Sequence, residues 1–160
     1  MVLIDTPGGN VKNENHKKIT AEIINNKADA SIIVIPSDRP LPSTLINFIN
    51  ANLMDSIHRC IFVVTKTDLI TCETERKELF NVIRARLANE FGINQSHVME
   101  LSPNLIILDQ YGNLSEKTEL SKDDKEYLLK QSRQSLDSIA RISSQQKRIL
   151  YNERLLRLIL

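Results

Sequence analysis

Two short stretches of this 160-residue chain carry residue types that could handle a nucleotide. The first is Asp5-Thr6-Pro7-Gly8, which follows directly on the apolar run Val2-Leu3-Ile4. A carboxylate in that place can orient the water shell of a Mg2+ ion, and a glycine three residues later lets its backbone N–H approach a phosphate oxygen. The second is Thr65-Lys66-Thr67-Asp68, delivered by the apolar, β-branched run Cys60-Ile61-Phe62-Val63-Val64. Its aspartate can accept from the two adjacent N–H groups of guanine, each charge-assisted bond worth roughly 1.5–3 kcal/mol, whereas adenine presents an acceptor and a C–H there. The lysine can lay its aliphatic stem along the ring plane. Each tetrad alone also reads as an ordinary solvated turn. Both at strand ends of one α/β unit, on the side where such sheets bind ligands, read jointly as a guanine-nucleotide site.

The elements that must position these loops follow from the hydrophobic pattern. Residues 2–4 are a strand with almost no length. Gly9 to Lys27 is polar before a helical half-pattern through Ile19, Ile23 and Ile24. Ala30 to Ile35 reads as a buried strand, continuous in apolar character as parallel strands covered on both faces tend to be, and Pro36 closes it. Ser43 is expected to cap a helix with Leu45, Ile46, Phe48, Ile49 and Leu53 on its apolar side, returning the chain to the strand at 60–64 in a βαβ crossover. Thr71 to Phe91 is a helix with Thr71 or Thr74 as N-cap, a stripe of Leu79, Phe80, Ile83 and Leu87, and Gly92 as its stop. Val98 to Leu101 is a short final strand ending at Ser102-Pro103. Ile106-Ile107-Leu108 suits a helix turn or an edge strand before the Tyr111-Gly112-Asn113 turn. From Ser121 the pattern is helical to the end, starting with Asp123, Asp124 and Glu126 and presenting Leu128, Leu129, Leu136, Ile139 and Ile142, with a polar hinge expected at Ser143-Ser144-Gln145-Gln146.

Composition narrows the function classes. Charged residues make up 26%, hydrophobic ones 41%, and the net charge is +1, so neither a nucleic-acid footprint nor a strongly steered acidic substrate is expected. Aromatics at 4% leave no platform for stacking bases. Cys60 and Cys72 lack metal spacing, which suits a reduced, cytoplasmic setting, and His16, His58 and His97 are scattered. No run approaches the roughly 18 apolar residues of a membrane span, so any membrane contact is expected to be peripheral or supplied by parts outside this chain.

Val2-Leu3-Ile4-Asp5-Thr6-Pro7-Gly8 resembles the third GTPase motif, and Thr65-Lys66-Thr67-Asp68 resembles the fourth in its Thr-Lys-x-Asp form, the variant that dynamin-type GTPases favour. His16, Thr20, the run Ala28 to Ile35 and the following Asp38-Arg39-Pro40-Leu41-Pro42 are similar to the stretch after the switch region in the dynamin superfamily, bacterial dynamin-like proteins especially. A translation-factor or Era-like GTPase suits the stretch from Ala28 to Pro42 poorly. The resemblance implies an α/β fold, a partial P-loop NTPase-type parallel sheet with flanking helices, followed by C-terminal helices. It implies GTP and Mg2+ as ligands, Asp5 on the Mg2+ water shell, Thr6, Pro7 and Gly8 along the γ-phosphate, and Lys66 and Asp68 on guanine with Thr65 and Thr67 in the same loop. Ser102 stands where the fifth motif contacts the base, although Pro103 departs from the usual Ser-Ala.

No Gly-x-x-x-x-Gly-Lys-Ser/Thr occurs in the sequence, whose four glycines are Gly8, Gly9, Gly92 and Gly112. In the family that loop and the switch threonine precede the third motif, which places them before Met1, and the strand carrying the loop lies between residues 2–4 and 31–35. The expected organisation is therefore a partial GTPase domain over 1–142, then the start of a helical neck or bundle over 143–160. The chain alone is expected to be inactive. The alternative is a non-catalytic truncated chain acting through its C-terminal helices in assembly or self-association. The family implies membrane remodelling for the parent.

Overall fold

The computed structural model describes residues 4–6, 14–111 and 119–159, with the side chains of 151–159 left aside. It is an α/β fold with a three-stranded parallel sheet, flanking helices and C-terminal helices. Strand β1 (Ser31–Pro36) pairs with β2 (Cys60–Thr65), which pairs with β3 (Val98–Glu100), in the order β1-β2-β3. Helix α1 (Glu14–Glu22) with a π-turn at Ile23–Lys27 leads into β1, and α2 (Ser43–Asn52) connects β1 to β2. Helix α3 (Glu73–Phe91) connects β2 to β3, and α4 (Pro103–Gln110) and α5 (Lys122–Ile159) close the chain.

The central strand is buried along its length because both of its faces are covered. Phe62 and Val64 point to one side, where Ile35, Phe48, Ile49, Ile83 and Leu87 join them in the main core. Ile61 and Val63 point to the other, where Met99 and Ile142 complete a smaller cluster with α5 above it. That alternation is the two-residue period of a strand between two helical layers.

β1 departs from the expected double coverage. Its register with β2 puts Ile32 opposite Ile61 and Val34 opposite Val63, on the α5 side. These two side chains are nevertheless 51% and 57% exposed, since α5 lies over β2 and β3. Only Ile33 and Ile35 have a helical cover. An unbroken apolar run records the character of both faces but not which one a helix reaches.

Two helix starts and one hinge differ from expectation, and the open choice at 106–108 resolves as helix. Ser43 is the first residue of α2, not its cap; Pro42, in extended backbone, holds the capping position without a side-chain bond. Cys72 stands before α3 in the same way, so neither Thr71 nor Thr74 caps it. Between Ser102 and Tyr111 the chain is helical, with Pro103 in the first turn, where a missing N–H is harmless. Helix α5 passes through Ser143–Gln146 without interruption, anchored there by Gln146 Nε2 donating to His58 O at 3.2 Å. Gly92 ends α3 in the left-handed region at φ 65°, as its position predicts. Ser121 caps α5, accepting from the Asp124 N–H at 3.1 Å.

Residues Ile4–Thr6 have no regular structure, and Met1–Leu3 lie outside the described residues, so the expected strand at 2–4 is seen only at Ile4, which is not strand. Cys60 is fully buried, and burial pushes its thiol up to about 12. Arg59 fastens the π-turn segment to the sheet, donating to Ala28 O at 2.9 Å and to Asn25 O at 3.0 Å.

Candidate functional site

The best-defined loop is the one that leaves β2. Thr65 ends the strand, and its carbonyl accepts the Ser37 N–H at 2.9 Å, which joins the ends of β1 and β2. Lys66 then takes φ 63° and ψ 18°, a left-handed conformation that costs a non-glycine residue roughly 1–2 kcal/mol. The Ser37 hydroxyl donates to the Lys66 carbonyl at 3.0 Å and holds this turn. Thr67–Leu69 follow as a single 3-10 turn.

The turn sorts the four side chains by environment. Thr67 is 1% exposed and Asp68 6%, whereas the Lys66 side chain is about half exposed and reaches over to Asp38, with Nζ donating to Oδ2 at 2.9 Å. The lysine's hydrogen bond holds the Asp38 carboxyl below its ordinary range. Because both partners face solvent, water screens the pair and the lysine stays free to move onto another surface. Among the described residues no hydrogen bond or ion pair engages the Asp68 carboxylate. A nearly buried carboxylate with open acceptor positions has the chemistry to take two parallel N–H donors on a flat ring.

Beneath this loop lies a line of buried hydroxyls. Thr67 Oγ1 and Ser102 Oγ are 3.2 Å apart, and Ser102 has no exposed surface. The Ser102 N–H donates to Ser132 Oγ of α5 at 2.9 Å, and Ser135 Oγ, one turn later, donates to Glu100 O at 2.6 Å. Ser102 thus directs its hydroxyl to Thr67 and serves as the residue before α4. Burial raises the Glu100 carboxyl, against the Thr67 hydroxyl and the Arg76 charge, and its Oε1 has no partner.

Arg76 braces the loop from the α3 side. It is 1% exposed, donating through Nη1 to Ile70 O at 3.0 Å and through Nη2 to Asp124 Oδ1 at 2.5 Å. Asp124 also accepts from Ser121 Oγ at 2.6 Å, and the Ser121 and Arg76 bonds together hold its carboxyl low. Nothing in the sequence pattern separates Arg76 from the surface cations around it on α3. Ser37, Ser132 and Ser135 were equally unmarked; polar residues at helical spacing read as a solvated face.

The first loop is less complete. Asp5 is exposed and Thr6 is half-buried, while Pro7 and Gly8 lie outside the described residues. Among the described residues no cluster of three or more His, Cys, Asp or Glu side chains could hold a metal ion. A cleft of about 490 Å3 opens between α3, β3 and α5, lined by Phe80, Arg84, Val98, Glu100, Tyr127 and Ser135 among others; none of the residues expected to bind nucleotide lines it. No helix of the described residues is long and apolar enough to cross a membrane.

Residues 1–67 match the model of the Dynamin family. No curated protein matches the chain. The matched span takes in the first loop, β1, α2, β2 and the beginning of the second loop through Thr67, and it leaves Asp68, Ser102 and α5 to be read from their own geometry.

Proposed function

We propose, from the match of residues 1–67 to the Dynamin family, that the chain carries part of a dynamin-type GTPase domain and that the loop Thr65–Asp68 is its guanine-binding element. The observation that supports this most directly is a 6%-exposed Asp68 carboxylate that no hydrogen bond or ion pair engages among the described residues, two positions after a left-handed Lys66 whose Nζ reaches Asp38. In this reading Asp68 accepts the guanine N–H pair, Lys66 covers one ring face and Thr65 and Thr67 shape the turn, while Ser102, expected to contact the base, is fully buried and instead supports Thr67. Asp5 holds the water shell of Mg2+ and, with Thr6, Pro7 and Gly8, faces the γ-phosphate of GTP. The bound ion supplies charge neutralisation on the phosphates. No residue here acts as an evident general base.

The phosphate cradle has no counterpart among these 160 residues, so this chain is expected to recognise the base without hydrolysing GTP. The finer assignments belong to the same proposal: a bacterial dynamin-like type, a domain boundary near residue 142, a cytoplasmic chain that meets membranes only peripherally, and a parent that remodels membranes. A second reading rests on α5. At 38 residues it spans on the order of 57 Å, longer than the sheet needs, and Leu136 and Ile149 on it are 44% and 49% exposed. This suits a non-catalytic helical module for assembly or self-association.

Titration of the 15N-labelled chain with 5′-GMP and 5′-AMP separates the two readings. Guanine recognition predicts millimolar, saturable shifts at Lys66–Leu69 with GMP and none with AMP. An equal response to both nucleotides, or none to either, contradicts it.

A further inference from the structure

We propose that Ser132, in the first third of α5, is a positioning residue for the guanine-binding loop; this rests on the guanine reading of that loop. Three hydroxyls from distant parts of the chain meet in the interior here: Thr67 at 1% exposure, and Ser102 and Ser132 at none. Ser132 Oγ accepts the Ser102 N–H at 2.9 Å, Ser102 Oγ lies 3.2 Å from Thr67 Oγ1, and Thr67 directly precedes Asp68. No solvent reaches this line. A buried N–H that loses its acceptor therefore has nothing to replace it, and the loop must move to find one.

The geometry makes Ser132 the link between α5 and the base loop. The other supports of the loop come from the turn just after β1, through the Ser37 hydroxyl on Lys66 O, and from α3, through Arg76 on Ile70 O. Those two fix the backbone on either side of Thr67 and Asp68, and the hydroxyl line supports the middle of the turn from beneath, where the Glu100 carboxyl also bonds Thr67. Ser135, three residues on and on the same face of α5, bonds Glu100 O at 2.6 Å, so the helix is seated on β3 at the same place. The position of α5 along the sheet is thereby passed to the Asp68 carboxylate, whose paired bonds to a flat ring tolerate little displacement.

The test uses the full chain and the same GMP and AMP titrations, with Ser132→Ala, Ser132→Thr and Ile142→Val. Ile142 packs α5 against the sheet in the apolar cluster and has no bond to the loop, so its valine variant controls for loosened helix packing. Ser132→Ala is expected to weaken GMP about fivefold, the loss of one buried acceptor, and Ser132→Thr to restore it. Ile142→Val is expected to leave GMP affinity unchanged. Wild-type GMP affinity in Ser132→Ala, or equal weakening by Ile142→Val, overturns the assignment. If Ser132→Ala does not fold, the backbone amide of Ser132 in the unaltered chain decides: a GMP-dependent shift there supports the link, and its absence overturns it. Failure of the unaltered chain to distinguish GMP from AMP overturns the guanine reading first and this inference with it.

Discussion

The Ser37 hydroxyl donates to the Lys66 carbonyl at 3.0 Å, and Lys66 is held at φ 63°, where lysine is disfavoured. A serine at the end of β1 therefore stabilises a strained turn at the end of β2, and the strain aims the lysine stem across the loop towards Asp38. The two roles of Lys66 separate on substitution. Lys66→Gly should leave thermal stability unchanged or raise it by up to about 1 kcal/mol, because glycine adopts this backbone freely, while GMP binding weakens with the loss of the stem. Ser37→Ala should cost about 1 kcal/mol, read by urea denaturation. A Lys66→Gly chain that is less stable would show that the conformation is not strained.

Arg76 ties the loop after Asp68 to the start of α5, and removing it leaves both Ile70 O and Asp124 without their buried partner. Arg76→Ala should destabilise the chain by about 3 kcal/mol in chemical denaturation, far more than alanine at the exposed Lys77, whose bridge to Glu73 faces water.

Stability should respond to pH through two carboxyls of opposite sign. Glu100 is raised chiefly by burial, so the folded chain binds its proton more tightly than the unfolded one. Its contribution is full below the ordinary value of 4.5 and is lost as pH rises through the raised folded value. Asp124 is lowered chiefly by the Ser121 hydroxyl and then by Arg76; its contribution is present above 3.8 and is lost as pH falls through the lowered folded value. Glu100→Gln should therefore abolish the decline in melting temperature above pH 4.5 and leave the acid limb unchanged. A retained decline would assign it to another group.

Much of this arrangement was legible in the residues. Cys60 to Val64, β-branched and apolar without a break, reads as a buried central strand and is one. Gly92 at the foot of a striped helix reads as its stop. Thr65–Asp68 can be picked out because a turn carrying Lys and Asp directly off such a strand has a specific chemistry. The supports of the loop could not be found in the same way. Ser132 and Ser135 interrupt the apolar stripe of α5, and only the fold reveals that they face backbone groups at Ser102 and Glu100. Ile32 and Val34 read as covered because apolarity is local information, whereas coverage depends on where α5 lies. The hinge at Ser143–Gln146 failed for a related reason: polar residues on an exposed helix face do not break it.

The most direct test of the central claim is a change of base preference at Asp68. Guanine offers two donors to its carboxylate, whereas xanthine replaces the exocyclic amine with a carbonyl that an amide side chain can pair. Asp68→Asn should lose the GMP-specific shifts at Lys66–Leu69 and acquire them with 5′-XMP, while the unaltered chain responds to GMP and not to XMP. An Asp68→Asn chain that still prefers GMP would contradict the assignment of this loop to guanine.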